Sequence, residues 1–171
     1  MDISLLVDHQ QDAHLIAKWY LVEWGHSMPE TVKTTLTEKV LLGANKDTFP
    51  MTILAHMDQA LVGVAELKYR ELEQYPNWHH WLDGVYVPSE HRGKGVSSKL
   101  ILEAIAKAKH LKVQSLYLRC EDHNIALYEK YGFVSVKTEM DRVGNNDVRK
   151  TVMVLTINEK ASTANIVAAN L

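Results

Sequence analysis

The stretch VYVPSEHRGKGVSSKL, Val85 to Leu100, constrains the fold of this 171-residue chain more than any other. It opens as a β-rich run, turns through Arg92, Gly93, Lys94 and Gly95, and closes on a helical pattern. Val96, Leu100, Ile101, Ala104, Ile105 and Ala108 recur along one face of that helix. Glycines at a helix mouth let the main chain approach a ligand with no Cβ in the way. The first N–H groups of a helix lack intrahelical partners and lie at the positive end of its dipole, so anions bind there. With the charges of Arg92 and Lys94 added, the turn suits a pyrophosphate.

The segments around this unit set its architecture. ISLLVD (residues 3–8) reads as a first strand, and DAHLIAKWYLVEWG as a helix capped by Asp12 and stopped at Gly25, with Leu15, Trp19 and Val22 on its stripe. SMPETVKTTLTEKVLLG reads as one further helix, with Ser27 and Glu30 as a capping box and Val32, Leu36 and Val40 inward. MTILAHMDQALVGVAELKY predicts a hairpin turning at Met57 to Gln59, and RELEQYPNWHH a loop. HWLDGVYV is the fourth strand, with Gly84 as a bulge. VQSLYLRC is the fifth, parallel to the fourth across a right-handed helical crossover. A short helix, HNIALYEKYGF, stops at Gly132, and VSVKTEM and RKTVMVLTI close an antiparallel pair around VGNND. The order is β, α, α, β, β, β, α, β, α, β, β: an α/β fold on a mixed sheet. One domain is expected over residues 1–157, followed by a tail, 158–171, without pattern.

Apolar residues make up 46% of the chain and the formal charge is -2, which argues against a general nucleic-acid binder. Cys120 is the one cysteine, so no disulfide forms within the chain. It ends the fifth strand, where a buried small residue is expected. The N-terminal segment has no signal-peptide pattern and no apolar run reaches the roughly 20 residues of a span. A cytoplasmic protein without membrane partners, monomeric or homodimeric, is expected. The histidines show no metal-ligand spacing, and no metal is expected.

The glycine turn has several readings. A basic surface turn is the plainest. A Walker A loop is absent, and a dinucleotide fingerprint lacks its third glycine, since Ser98 stands there. The third reading uses two segments together: VYVPSEHRGKGVSS, and ALYEKYGF about thirty residues later, resemble the GNAT superfamily of acetyl-CoA-dependent N-acetyltransferases. Arg92, Gly95 and Ser97 fall on its acyl-CoA signature, Arg/Gln-x-x-Gly-x-Gly/Ala, with Ser97 in the last place. The resemblance is good over 51–157 and looser before it. It implies a GNAT-like, mostly antiparallel sheet of about seven strands and about four helices, with strands four and five splayed apart. It implies acetyl-CoA as co-substrate, its pyrophosphate held by Gly93, Lys94 and Gly95 and the amides of Val96, Ser97 and Ser98. The main chain of Val85, Tyr86 and Val87 would pair with the pantetheine arm, and Asn124 would meet it from the far side. Glu121 stands seven residues before Tyr128, where many relatives carry asparagine.

Acetyl transfer to an amine poses two proton problems. Freeing a lysine-like amine at pH 7 costs about 4–5 kcal/mol and an α-amine only about 1–1.5 kcal/mol, so a base matters most for the first. The leaving thiolate gains from an acid. The resemblance places Tyr128 at the sulfur as that acid. For the base it points to His79, thirteen residues before Arg92; Asp83 and then Glu66 are the next candidates. His79, Trp81 and Asp83 alternate onto one strand face. A strand-four amide near Val85, freed by the bulge, is implied as an oxyanion donor.

The acceptor wall is expected to carry Glu23, Trp24, Glu66, Glu71, Glu73, Trp81, Asp83, Asp141 and Asp147. Acidic residues beside aromatic ones suit a small cationic amine, aminoglycoside- or polyamine-like; a peptide N-terminus is the other acceptor considered. The expectation is direct transfer in a ternary complex, the alternative an acyl-CoA-binding sensor or pseudoenzyme of the same fold.

Overall fold

A computed structural model describes residues 1–143 and 146–157. The expected tail, 158–171, and the centre of the VGNND turn lie outside the described residues. The strands are β1 (Asp2–Leu5), β2 (Met51–Met57), β3 (Ala60–Tyr69), β4 (His80–Tyr86), β5 (Ser115–Glu121), β6 (Val134–Val143) and β7 (Asn146–Thr156). The helices are α1 (Ala13–Trp24), α2 (Glu30–Thr34), α3 (Leu36–Leu41), α4 (Val96–His110) and α5 (Ile125–Glu129). One sheet runs β1-β2-β3-β4-β5-β7-β6. Only β4 and β5 pair in parallel; the other neighbours are antiparallel. This is the expected mixed sheet with helices on both faces.

Strand alternation divides the side chains between two cores. Ile53, Ala65, Leu67, Leu82, Leu116 and Leu118 meet the apolar stripe of α4, with Tyr128 and Phe133 beside them. Leu54, Val64 and Leu61 meet α1 and α3 on the other face. The β2–β3 hairpin turns through Asp58 and Gln59, both at positive φ, as a tight hairpin with right-handed strand twist demands.

The first two helical segments differ from expectation. In α1 the buried residues are Ala13, Ile16, Ala17 and Tyr20, while Leu15 and Val22 are exposed. The inward stripe, Ala13, Ile16, Ala17 and Tyr20, has the full spacing i, i+3, i+4, i+7, whereas the Leu15, Trp19, Val22 stripe has Lys18 at i+3. The one that puts Tyr20 inward wins because its hydroxyl reaches the Gly84 carbonyl at 3.1 Å. Asp12 does not cap α1 with its side chain; its carboxylate bonds His56 Nε2 at 2.9 Å instead. The single helix expected over 27–43 is two. It breaks at Thr35, whose hydroxyl bonds back to the Thr31 carbonyl at 2.8 Å. Ser27 ends a 3-10 turn and donates to the Trp24 carbonyl at 2.9 Å, so the capping box is not formed. No helix among the described residues is long and apolar enough to cross a membrane.

Candidate active site

The parallel pair β4–β5 is where the sheet opens. Its one register pair is Trp81 with Tyr117; towards the C-terminal ends of both strands none follows. Gly84 makes the bulge: β3 pairs Glu66 with Asp83 but Val64 with Tyr86, so β4 carries an extra residue. Gly84 has φ +54, and a Cβ there would lie 2.5 Å from the Tyr20 hydroxyl and 2.7 Å from Glu66 Oε2. Glycine is required on both counts.

The opening forms a cleft of about 760 Å³ on the α1–α3 face. Trp24, Met28 and Leu36 supply an apolar side, and Val85, Cys120, Asn124 and Tyr128 line it at the strand opening. Its floor is charged, because alternate residues of each strand face it. Glu66, Lys68 and Arg70 come from β3 and its end, Asp83 from β4, Arg119 from β5, and Asp141 and Lys150 from the terminal hairpin.

Glu66 is the most buried of these acids, at 4% exposure. Its Oε2 lies 2.9 Å from Lys68 Nζ, but the angle is poor and no aligned hydrogen bond reaches that oxygen. Burial first, then the nearby Asp83 charge, raises its pKa, and Lys68 only partly offsets this. Asp83 goes the other way. Burial would raise it, but Lys68, Arg70 and the Gly84 amide, which donates at 2.9 Å, together hold it below the usual range. Its side chain is 41% exposed and salt-bridged by Arg70. The two carboxyls thus differ in role: Asp83 is a fixed, paired anion, and Glu66 holds a proton more readily.

Tyr128 is buried, with its ring edge-on to Phe133 at 5.9 Å. Burial, then Cys120 and Asp83, push its phenol well above the ordinary value, so it keeps its proton at neutral pH. Tyr20 is raised in the same way by burial and by Glu66.

At the C-terminal end of β4 the glycine turn has the backbone expected of it. Gly93 and Gly95 have φ of 73° and 76°, with nothing within 4 Å of a Cβ built on either. Arg92 Nε donates to the Val87 carbonyl at 2.9 Å, and Lys94 Nζ to the Glu90 carbonyl at 3.0 Å, which closes the turn. Gly95 caps α4 with no side-chain hydrogen bond, so the first amides of the helix, from Val96 to Ser98, have no capping side chain. Ser98 Oγ accepts from the Tyr131 hydroxyl at 2.8 Å.

Residues 13–133 match the family described as Acetyltransferase (GNAT) family. The chain belongs to the GNAT acetyltransferase family. No curated protein matches it. Among solved structures, a ribosomal-protein-alanine N-acetyltransferase from Brucella melitensis is 25% identical, with a TM-score of 0.72, covering 91% of this chain and 99% of its own. A putative acetyltransferase from Salmonella typhimurium, solved with its cofactor acetyl-CoA, is 18% identical with a TM-score of 0.70, covering 94% and 97%. A spermidine/spermine N-acetyltransferase from Vibrio cholerae is 20% identical with a TM-score of 0.68, covering 91% and 94%.

The expected site residues of this GNAT chain are not all in one place. The cleft gathers Trp24, Glu66, Trp81, Asp83, Val85, Asn124 and Tyr128. His79 stands apart at the other end of β4. It stacks on Tyr69 at 5.2 Å, with Nδ1 3.2 Å from the Arg70 carbonyl, in a separate hollow shared with His80. Trp81 is 5% exposed and mainly packs with Tyr75 and Val152. Glu23, Glu71, Glu73 and Asp147 do not line the cleft. The sequence reading overlooked Lys68, Arg70 and Arg119; the period-two spacing of Glu66, Lys68 and Arg70 was the signal available for the first two. It also passed over His9, Asp12 and His56, whose ligand-type atoms lie within 4.8 Å of one another, because His56 is 44 residues from Asp12.

Proposed function

We propose that this chain is an acetyl-CoA-dependent N-acetyltransferase that transfers the acetyl group directly to a primary amine in a ternary complex. The observation that carries this reading is the pairing of an uncapped, glycine-flanked start of α4 with a sheet opened between β4 and β5. The site fits the carrier: Gly93 and Gly95 hold a backbone that side chains disfavour, around open space. When bound, acetyl-CoA supplies an acetyl thioester. Gly93, Lys94, Gly95 and the amides of Val96 to Ser98 would hold its pyrophosphate, and the main chain of Val85 to Val87 its arm.

The other parts belong to the chain's own residues. Tyr128 holds a phenolic proton at the strand opening and donates it towards the leaving sulfur. The Val85 amide, next to the bulge, is the donor for the developing oxyanion. Glu66 accepts the amine proton, directly or through water. Asp83 is too well paired with Arg70 to be an effective base, and His79 lies outside the cleft. Lys68 favours the ionised form of Glu66 against its burial, and Tyr20 holds the bulge that positions it.

The test is a calorimetric titration with acetyl-CoA, then assays of CoA release with a panel of polyamines, aminoglycosides, amino acids and peptides. Expected are binding, turnover with at least one amine, and a Tyr128→Phe variant that still binds acetyl-CoA but turns over about 10²-fold more slowly. Binding without CoA release from any amine would identify a sensor; full turnover by Tyr128→Phe would remove Tyr128 as the acid.

A further inference from the structure

The charges of the cleft do not match the small cationic amine expected from sequence. Four carboxylates line it, from Glu66, Asp83, Glu121 and Asp141. Six cations line it too: Lys39, Lys68, Arg70, Arg119, Arg142 and Lys150. Three of the four acids are committed to these cations. Glu66 pairs with Lys68 at 2.9 Å, Asp83 with Arg70, and Asp141 with both Arg119 and Lys150, the latter at 3.7 Å. Glu121 lies 3.7 Å from His123 at the exposed rim.

Lys39 and Arg142 remain. Neither has an ion pair or a side-chain hydrogen bond among the described residues, and both are exposed. They come from opposite sides of the opening. Lys39 is on α3, which packs over β2 and β3, and Arg142 is on β6, the far edge of the sheet. A polyamine entering here would meet a surplus of like charge.

We propose that Lys39 and Arg142, two cleft cations without an ion pair among the described residues, draw an anionic group into the cleft from its two sides, and that the acceptor is an α-amine on a molecule that also bears a carboxylate. The carboxylate belongs either to a free amino acid or to an acidic side chain following a peptide N-terminus. This rests on the acetyltransferase reading above and narrows it. The apolar side made by Trp24, Met28 and Leu36 leaves room for the body of such a molecule between its two polar ends. An α-amine also asks little of a base, since its deprotonation at pH 7 costs only about 1–1.5 kcal/mol.

The experiment compares kcat/KM for three tripeptide amides that share an N-terminal alanine, followed by two glutamates, two glutamines or two lysines. Free alanine, alaninamide and spermidine are run alongside. Expected is a ratio of at least tenfold between the glutamate and lysine peptides, and a fall in that ratio of at least fivefold in Lys39→Glu, Arg142→Glu and the double variant. Alanine outperforming the glutamate peptide assigns the source as a free amino acid; the reverse assigns a peptide. Best turnover with spermidine or the lysine peptide, or a ratio that the variants leave unmoved, overturns the subsite while leaving the acetyltransferase intact. Acetyl-CoA binding without CoA release from any amine overturns both.

Discussion

A carboxyl group buried beside a lysine can be either half of a structural ion pair or a base, and Glu66 shows how the two are told apart. Its pKa lies above that of an ordinary glutamate, mainly through burial, although Lys68 is 2.9 Å away. In the proposed role of base it would act only when ionised, so kcat/KM should rise with pH through the raised Glu66 pKa and then level. Glu66→Gln should abolish that acid limb and lower kcat by about 10²–10⁴-fold, read from pH–rate profiles. The same shift has a sign for stability: the folded chain binds this proton more tightly than the unfolded one. That contribution is present below the unfolded pKa and is lost as pH rises through the folded value. Cys120, a few residues before Tyr128, has its thiol pushed up to about 11 by burial first and by Asp122 and Glu121 after it. Its thiolate fraction near neutral pH is therefore on the order of 100-fold below that of a free cysteine. Iodoacetamide should modify it at least 100-fold more slowly in the native protein than in urea. Rapid native labelling would reverse the assignment of Cys120 as an inert packing residue.

At the scale of elements, two glycines with the same backbone sign do different work. Gly95 has φ +76 and open space around its Cβ direction; Gly84 has φ +54 and is hemmed in by Tyr20 and Glu66. Gly95→Ala should cost only the backbone strain, about 1 kcal/mol by urea unfolding, and weaken acetyl-CoA binding at least tenfold by calorimetry. Gly84→Ala adds a steric clash to the strain and should cost about 2–4 kcal/mol, with the Tyr20 contact to the bulge broken. Both glycines were legible in the sequence because turn chemistry is local. The break within 27–43 and the inward face of α1 were not. The larger side chains Leu15, Trp19 and Val22 marked out the outer stripe of α1, while the inner one is pinned by Tyr20 to Gly84, 64 residues away. The proposed base follows the same logic. Counting thirteen residues back from Arg92 leads to His79, just before β4, whereas the end of that strand that opens is set by its pairing with β5.

At the scale of the whole molecule, the sheet is two antiparallel halves, β1-β2-β3-β4 and β5-β7-β6, meeting at one parallel seam. The order of elements and the Val85–Leu100 unit were enough to anticipate that seam, since a strand–helix–strand crossover requires parallel neighbours. The charge of the cleft was less accessible: Arg70 read as loop, and the pairing of Asp83 and Asp141 with arginines requires strands brought together by the full topology. Because Trp81 with Tyr117 is the only register pair across the seam, little main-chain bonding holds the halves where the site opens. Side chains replace it. The Trp81 ring lies 5.5 Å from Tyr117 and 5.9 Å from Tyr75, its Nε1 donates to the Trp78 carbonyl at 2.7 Å, and Val152 of β7 packs against it. Trp81→Ala removes that tie and leaves a cavity, so it should cost about 3–5 kcal/mol by chemical denaturation. Saturating acetyl-CoA, which would contact both halves through β4 and α5, should recover part of that loss, about 2.7 kcal/mol at 100 times its dissociation constant. A Trp81→Ala protein as stable as the parent would mean that α4 alone holds the halves together, and the seam would then owe its opening to the bulge and not to the balance of contacts across it.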